Sequence, residues 1–520
     1  MKSTVSSPAL PMEQRLTALV LLGLLAGPFM SMIDSSVVNV ALAVIARGFK
    51  TDLATAQWVI SGYLLALAFG LPASAFLAKR YGTRRIYLVS MAGFTLSSLA
   101  CAFAPTLPVL IATRVLQGFC GAPLVPLAMN VLLSSNGSAR KGIPPVAGGL
   151  LFLAPALGPT VGGLLLRVGA WPLIFLVNVP IGLLGLLGAT RISTELAGRG
   201  DRAARFDPLG LALASFGLTL TIYGATAGAQ KSWLGGDVWP FWGGGAILLL
   251  LYILYALIRP HPALDLKLLR HSQSALALFL VCMVAIVMAA MLLLTPIYLQ
   301  QIQGTSALVA GLVLLPQGLV TGLGAVLGME LAKWWGERAC IVFGTVILVA
   351  TTALLLLLDL ATPAWLTALL LCGRGLATGL VLQPLLTVML HGLTQHELPD
   401  GNTLFTVTDN LGGSVGVALL ATLLQQRETT RILAMLHAQG MPASDLQGIE
   451  GGGSAIPPIS PILHHALGAA TIAGLHDTIL ALIIVAAQGA FPSTRARRGV
   501  GLTRNLCMTP RSRSQIIAMP

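Results

Sequence analysis

The sequence predicts an all-α polytopic membrane protein, and three observations lead to that fold class. Of the 520 residues, 56% are hydrophobic and only 9% are charged, and the mean hydropathy is +0.85. Soluble chains keep roughly a quarter of their residues charged, so this composition excludes secreted disulfide scaffolds, disordered chains and ordinary cytosolic enzymes. The apolar residues also form stretches long enough to cross a bilayer, and the basic residues concentrate in every second connection between those stretches.

Fourteen apolar stretches are candidates for spanning helices, because about 20 residues at a rise of about 1.5 Å each cross the hydrocarbon core. They begin near residues 16, 55, 85, 107, 142, 171, 208, 239, 274, 307, 340, 363, 401 and 468. The last stretch is the weakest, since His476 and Asp477 interrupt it. The first lacks a cleavage site of small residues, so it is predicted to be a spanning helix and not a signal peptide.

The distribution of lysine and arginine supports this number of helices. If the N-terminus lies on the cytoplasmic side, the cytoplasmic segments hold 23 of the 31 basic residues and the outer segments hold 6. Arg114 and Arg374 lie inside helices. Because cytoplasmic segments retain positive charge, this asymmetry predicts that both termini lie in the cytoplasm. The net charge of +13 therefore reflects membrane topology, and no nucleic-acid partner is expected.

An internal repeat divides the chain into two halves. Residues 77–85 read LAKRYGTRR and residues 331–339 read LAKWWGERA, so Leu, Ala, Lys, Gly and Arg recur at an offset of 254. Parallel repeats of this kind are expected of transporters that bind substrate between two six-helix halves. The predicted divisions are a six-helix half at 1–190, a cytoplasmic link with two extra helices at 191–273, a second half at 274–491 with an external loop at 425–466, and a basic cytoplasmic tail at 492–520.

Several motifs occur in the chain order that one family shows. They are IDSSVVNVAL at 33–42, FLAKRYGTRR at 76–85, RVLQGFCGAPLVP at 114–126, APALGPTVGG at 154–163, WPLIFLVNVPIG at 171–182 and FDPLGLAL at 206–213. Through these motifs the chain resembles the major facilitator superfamily (MFS), and within it the fourteen-helix drug:proton antiporters. The resemblance implies an MFS fold of two six-helix halves plus two extra central helices.

The segment at 57–80, QWVISGYLLALAFGLPASAFLAKR, is most similar to the EmrB branch of that family. This resemblance implies a bacterial inner-membrane location, with a periplasmic adaptor and an outer-membrane channel as partners. The chain departs from the family pattern at Ala75 and Lys79, where Gly and Asp are usual, so an aspartate-based latch in this loop is not expected. Pro172 replaces an Arg, and Asp409–Asn410 replaces a common Arg–Gln pair.

Asp34 and Asp409 are the acidic residues that fall well inside apolar stretches. A carboxylate inside a membrane costs several kcal/mol unless it is paired or protonated, so such residues are functional candidates by default. Asp34 is the main candidate for proton coupling or for contact with a cation, and the alternative is a structural carboxylate tied to a neighbouring helix. Asp409 is a second candidate, which could instead face an aqueous cavity.

Arg114 keeps its charge at any accessible pH, so inside the membrane it must find a carboxylate, carbonyl groups or water. The resemblance implies that it belongs to the motif linked with proton transfer. An arginine that pairs with an acid in only one conformation would favour release of the acid's proton there, whereas a permanent link between helices is the alternative. Arg374, in the matching helix of the second half, is predicted to be structural.

The fifth-helix motif consists of small residues and prolines: Pro155, Gly158, Pro159, Gly162 and Gly163. Proline bends a helix, and small residues let a neighbouring backbone approach closely. The resemblance implies export by antiport, with the bend sealing one side of a central cavity. The alternative is generic packing of small residues between helices.

The two repeated turns are rich in basic residues. They contain Lys79, Arg80, Gly82, Arg84 and Arg85 in the first turn and Lys333, Gly336 and Arg338 in the second. The positive-inside rule accounts for most of this charge. The repetition indicates that both turns also gate the rocking of the two halves.

Enzyme and cofactor signatures are missing from the sequence. The run GGSVG at 412–416 fits GxSxG but lies in a predicted spanning helix, so it is interpreted as helix packing. No Walker A or HExxH pattern occurs, and the six cysteines have no metal-binding spacing. The chain is therefore expected to need no metal or other cofactor and to use a proton gradient.

The sequence thus predicts a proton-coupled multidrug efflux transporter that works by alternating access. Its expected partners are small hydrophobic or amphipathic substrates, protons and the lipid bilayer. One alternative is a polytopic membrane enzyme or sensor, which would need an intramembrane nucleophile or a His–Asp cluster. Another is an uptake symporter, which the fifth-helix motif disfavours.

Overall fold

The computed structural model describes residues 18–438, apart from 136–144, 193–206 and gaps of at most three residues in other turns, together with five residues between 476 and 484. The regular elements of these residues are helices. The α-helices are α1 (Ala18–Gly48), α2 (Leu53–Ala56), α3 (Trp58–Tyr81), α4 (Thr83–Ala102), α5 (Leu107–Gly121), α6 (Leu124–Ser135), α7 (Pro145–Val168), α8 (Leu173–Leu176), α9 (Asn178–Ala189), α10 (Pro208–Gln230), α11 (Trp239–Ile258), α12 (Ser272–Ile297), α13 (Ala307–Trp335), α14 (Glu337–Leu354), α15 (Ala364–Leu390) and α16 (Leu398–Ala438).

The helices confirm the all-α membrane fold. Eleven spans in the described part of the chain are long and apolar enough to cross a bilayer, and α7 and the α8–α9 pair occupy the fifth and sixth predicted spans. The first thirteen predicted spans begin within three residues of a helix start. The fourteenth span, except for five positions, and the tail at 492–520 lie outside the described residues. The last helix, α16, extends to Ala438, so the segment predicted as an external loop begins as helix.

The two repeated turns have the same backbone geometry. Gly82 and Gly336 have φ values of 89° and 82°, a region that favours glycine because it has no Cβ. Each glycine N–H donates over 2.9 Å to a carbonyl four residues earlier, at Ala78 and at Ala332. We call the end of the bundle that carries these two turns the basic end.

The repeat also extends to the packing inside each half. In the first half α7 lies against α1, and a Cβ at Gly158 would be 2.3 Å from the Cβ of Ser36. In the second half α16 lies against α12, and a Cβ at Gly412 would be 2.9 Å from the carbonyl oxygen of Cys282. Gly158 and Gly412 are again 254 residues apart, so each half joins its first and fifth spans through a small-residue seam.

The extra helices α10 and α11 pack on each other, and α10 contacts both halves, at α3 and at α16. At one end, the Tyr255 hydroxyl donates to Asp207 over 2.7 Å, and Asp207 also accepts from the Gly210 N–H at the start of α10. At the other end, the Trp233 indole N–H donates to the Thr422 hydroxyl on α16 over 3.0 Å. The extra pair is thus fixed to the second half by a side-chain hydrogen bond, while α10 also lies against α3 of the first half.

Candidate functional site

The first half holds a buried ion pair between α1 and α5. Asp34 is 1% exposed and Arg114 is fully buried, and the Arg114 Nη1 lies 2.5 Å from the Asp34 Oδ2. Helix α1 contributes the acid in the middle of an apolar run, so burial follows from the apolar residues on either side. A buried pair of this kind is stable only when further hydrogen bonds satisfy both groups.

The second carboxylate oxygen of Asp34 accepts hydrogen bonds from two amides. The Asn178 Nδ2, at the start of α9, donates to Oδ1 over 2.9 Å, and the Gln117 Nε2 on α5 donates over 3.3 Å. Asn178 also donates to the Ser98 hydroxyl over 3.1 Å, and Ser98 donates to the carbonyl of Phe175. Every hydrogen bond described for Asp34 is thus one that it accepts, which fits an ionised carboxylate.

Arg114 contacts helices besides α1. Its Nε donates to the Val59 carbonyl on α3 over 3.0 Å, and its Nη1 donates to the Gln117 Oε1 over 2.8 Å. The guanidinium lies 4.1 Å from the ring centroid of Tyr63 and 5.6 Å from that of Phe175, which adds cation–π stabilisation in a desolvated position. Loss of the Asp34 contact would therefore leave Arg114 with other partners.

The fifth-helix motif lies beside this pair. Gly158 and Gly162 on α7 pack against Ser36 and Val37 of α1, within three residues of Asp34. The remaining residues of the motif, Pro155, Pro159 and Gly163, lie in the same helix. Because α7 also contacts α13 of the second half, the motif connects the helix that carries the acid with the opposite half.

The second half contains charges that do not pair in this way. Asp409 on α16 is half-buried near Cys282 of α12, and it has no hydrogen-bond or ion-pair partner among the described residues. Arg374 on α15 is 1% exposed, and its Nη2 donates to the Val287 carbonyl over 2.6 Å. The Nε of Arg374 has no hydrogen-bond partner in the described part of the chain. The structure therefore brings Asp34 and Arg114 together and leaves Asp409 in the other half.

The two repeated turns differ in their ion pairs. Lys79 pairs with Asp400 in the first turn of α16, which links the two halves. Lys333, the counterpart of Lys79, pairs over 2.6 Å with Glu330 on its own helix, and both side chains are exposed. Among the other predicted loop residues, Arg84 donates to the Thr190 carbonyl over 2.7 Å. Arg80 lies over the Tyr81 ring, Arg85 is exposed and Arg338 is half-buried.

Further contacts join the halves at the basic end. The Asn402 amide on α16 donates to the Asn130 side chain on α6, and both residues are buried. An apolar cluster contains residues from both halves, including Leu127, Val131, Leu386, Leu390 and Leu398. The halves are therefore closed against each other at this end.

Sequence reasoning did not single out the polar partners of the predicted residues. Asn178, Gln117 and Ser98 surround Asp34, and Asp400 pairs with Lys79. The available signal was an isolated polar residue within an apolar stretch, as in the segment at 171–182 that contains Asn178.

Comparison with known proteins identifies relatives over most of the chain. A family model described as Major Facilitator Superfamily matches residues 24–417. A "Multidrug resistance protein B homolog" of Mycobacterium tuberculosis is 33% identical, covering 76% of this chain and 74% of its own. A "Putative multidrug resistance protein MdtD" of Cronobacter sakazakii is 31% identical over 76% of this chain and 84% of its own.

A similar fold occurs among solved structures. A bacterial homologue of the human lysosomal transporter Spinster, in an inward-facing and occupied conformation, aligns with a TM-score of 0.53 and 17% identity. The alignment covers 92% of this chain and 96% of the other. At this identity the likeness concerns the fold alone.

Proposed function

The chain belongs to the major facilitator superfamily, and from that premise we propose that it exports hydrophobic or amphipathic compounds in exchange for protons. It is a multi-pass membrane transporter of small molecules and not an enzyme. Relatives named as multidrug resistance proteins support drug efflux as its task. The observation that carries proton coupling is the fully buried Asp34–Arg114 pair.

The pair provides a charge switch. While Arg114 contacts Asp34, the acid is held as a carboxylate because the guanidinium and two amides all donate to it. A conformation that separates the two would leave an uncompensated buried carboxylate, which favours uptake of a proton. Arg114 keeps the Val59 carbonyl and the Tyr63 ring as partners during that separation. Proton uptake and release can thus follow the rocking of the halves.

Contacts at the basic end supply the gate for this cycle. The Lys79–Asp400 pair, the Asn130–Asn402 hydrogen bond and the apolar cluster hold the halves together at that end. We assign the basic end to the cytoplasm because its turns carry the excess of lysine and arginine. The conformation described is therefore closed toward the cytoplasm, and opening requires breaking the Lys79–Asp400 pair.

Asp409 supplies the contact for cationic substrates. Its half-buried carboxylate has no ion-pair partner in the described residues, so a lipophilic cation would compensate its charge. Neutral compounds would use the apolar surroundings alone. This division suits a transporter of chemically varied substrates.

Location and partners follow from the same family branch. We assign the protein to a bacterial inner membrane with both termini in the cytoplasm, and we expect a periplasmic adaptor and an outer-membrane channel to receive its substrates. The energy source is the proton gradient, with no bound cofactor. The relatives' names support the drug-exporting class, and the charge distribution supports the orientation.

The test uses the purified protein in vesicles with an acidic interior and an internal pH-sensitive dye. Adding tetraphenylphosphonium outside should release protons from the vesicles, and Asp34→Asn should abolish this release. Asp52→Asn is the matched control, because Asp52 lies in an exposed turn after α1 and caps α2 through Thr55. Acidification of the interior upon substrate addition would instead indicate an uptake symporter. Binding without any proton movement would contradict proton coupling and favour a uniporter or sensor.

A further inference from the structure

Asn178 lies at the centre of the buried polar cluster and contacts Asp34 directly. We propose that Asn178 is the positioning residue that allows Asp34 to change its protonation state. Its amide donates to the carboxylate, and after a half-turn about the Cβ–Cγ bond it accepts from the protonated acid. This inference rests on the proposed role of Asp34 as the proton carrier, and it adds a residue that the coupling step requires.

The argument begins with the donors around Asp34. Oδ2 receives a hydrogen bond from Arg114, and Oδ1 receives hydrogen bonds from Asn178 and Gln117. Donors thus occupy three of the four lone-pair positions of the carboxylate, and the described residues supply no further hydrogen-bond partner of Asp34 at the fourth, so a proton on the acid finds no acceptor in this state. A buried hydroxyl without an acceptor is costly, so protonation requires that at least one donor move away or turn into an acceptor.

The three donors differ in what they can become. Arg114 has no acceptor atom in any orientation. Gln117 has one, but its Oε1 already accepts from the Arg114 Nη1 over 2.8 Å and from the Cys101 Sγ over 3.5 Å. The Oδ1 of Asn178 is buried and has no hydrogen-bond partner in the described part of the chain. Asn178 is therefore the donor that can turn without breaking a hydrogen bond to its own oxygen.

Ser98 makes the turned state acceptable. In the described state its hydroxyl accepts from the Asn178 Nδ2 and donates to the Phe175 carbonyl. A hydroxyl rotates freely between donating and accepting, so Ser98 can donate to the Asn178 Oδ1 once the amide has turned. The turned oxygen then accepts from both Ser98 and the protonated Asp34. The carboxyl of Asp34 thus has a hydrogen-bond partner on Asn178 in each protonation state.

Other charged or titratable groups around Asp34 do not provide this switch. Within the described residues, those facing it are Arg114 on α5, Tyr63 on α3 and Cys101 on α4. Arg114 keeps its charge. Tyr63 and Cys101 are neutral groups: Tyr63 hydrogen-bonds to Ser31, and Cys101 hydrogen-bonds to Thr113 and Gln117.

The experiment compares two nearly isosteric substitutions, Asn178→Thr and Asn178→Val. The Thr hydroxyl can donate or accept, whereas the Val methyl can do neither. The measurement is the pH dependence of tetraphenylphosphonium binding to the full-length protein in lipid nanodiscs, which needs no turnover. All variants carry Asp409→Asn, so that the second carboxylate proposed to contact the cation does not contribute to the pH dependence. Asn178→Val should move the binding midpoint to higher pH by about one unit. It removes a hydrogen bond to the carboxylate worth about 1.5–3 kcal/mol and one to the protonated acid worth about 0.5–1.5 kcal/mol, and one pH unit corresponds to about 1.36 kcal/mol. Asn178→Thr should move the midpoint by less than half as much.

Asn39→Val is the matched control, because Asn39 is an exposed amide on α1 that donates to the Ser35 carbonyl of its own helix. It should leave the midpoint unchanged. Equal midpoints for the Thr and Val variants would overturn the proposal, whether or not they differ from the wild type. If neither variant binds the cation, the difference in Tm between pH 5 and pH 8 replaces binding as the readout, and equal differences in the two variants overturn the proposal. Asn178→Ala takes the place of Asn178→Val if the latter does not fold.

Asp34→Asn separates this inference from the proposed function. Loss of the pH dependence in Asp34→Asn, together with an unshifted Asn178→Val, would contradict the role of Asn178 alone. Wild-type pH dependence in Asp34→Asn would contradict the proposed coupling at Asp34 itself.

Discussion

The two halves of the molecule use a buried arginine in different ways. Arg114 and Arg374 each lie in the fourth span of their half, and each donates to the first span of that half. Arg114 donates to the carboxylate of Asp34, whereas the hydrogen bond described for the Arg374 side chain goes to the carbonyl of Val287. The repeat offset of 254 takes Asp34 to Met288, the neighbour of Val287. Arg374 thus contacts the equivalent part of the first span, where the second half has a methionine in place of the acid.

The acids also occupy different sides of equivalent seams. In each half the seam joins the first and fifth spans through glycines, with Asp34 on the first span of one half and Asp409 on the fifth span of the other. The turns and seams are thus shared by both halves, while the placement of charge is not. Under the proposed function, the first half pairs and releases an acid, and the second half offers a ligand the carboxylate of Asp409, which has no ion-pair partner among the described residues.

The largest expected effect comes from removing each arginine in turn. Arg114→Met leaves Asp34 buried without its cation and should destabilise the protein by about 3–5 kcal/mol, with loss of substrate-driven proton release. Arg374→Met removes a charge that has no acidic partner among the described residues, so stability should be unchanged or higher and transport retained. The measurements are Tm in detergent and the vesicle assay. Equal losses in both variants would show that the two halves use their arginines alike.

The glycine seams allow a finer comparison. Gly158→Ala places a Cβ 2.3 Å from Ser36 beside Asp34, and Gly412→Ala places one 2.9 Å from the Cys282 carbonyl. Overpacking costs about 1–3 kcal/mol, so both variants should be less stable. Only Gly158→Ala should also lower the number of protons released per substrate, since it shifts the helix that carries Asp34. A changed proton ratio in Gly412→Ala would argue against this asymmetry.

The ion pairs at the repeated turns provide the third test. Lys79→Asp should open the basic end and reduce transport several-fold, because it places two acids together between the halves. The double exchange Lys79→Asp with Asp400→Lys should restore more than half of the lost rate. Lys333→Asp is the matched control and should have little effect, since an exposed pair contributes about 0.2–1 kcal/mol. Amide hydrogen exchange in residues 124–135 measures the opening of the basic end. If the charge-swapped double variant does not restore protection there, the Lys79–Asp400 pair does not hold the basic end closed.

The smallest expected effect concerns Asp409. Asp409→Asn should weaken binding of tetraphenylphosphonium about fivefold, because one partly solvated charge contact contributes about 1 kcal/mol. Binding of an uncharged substrate should not change, and substrate-driven proton release should persist. Abolished proton release would place Asp409 in the coupling step beside Asp34.

Much of the fold was predictable, because apolar runs of spanning length leave few alternatives for a helix start. The Asp34–Arg114 pair was predictable in part, since an acid and a base inside a membrane each need a partner. The contacts of Asn178 and Ser98 beside this pair were not predictable, because a single amide or hydroxyl in an apolar helix also occurs as a packed residue without any such contact. The Lys79–Asp400 pair joins positions 321 residues apart, and the sequence gives no indication of that proximity. The hydrogen bond from Arg374 to the carbonyl of Val287, with no acidic partner among the described residues, depends on how α15 packs against α12 and could not be predicted from the sequence.

The extra helices α10 and α11 lie between the halves in the chain, and their number has a topological consequence. Two inserted spans return the chain to the face it left, so the second half enters the membrane in the same direction as the first. An odd insertion would invert the second half, and the turns at Gly82 and Gly336 would then lie on opposite faces. Removing or duplicating the two helices together therefore preserves the orientation of the second half in the membrane. Loss of either helix alone would invert it.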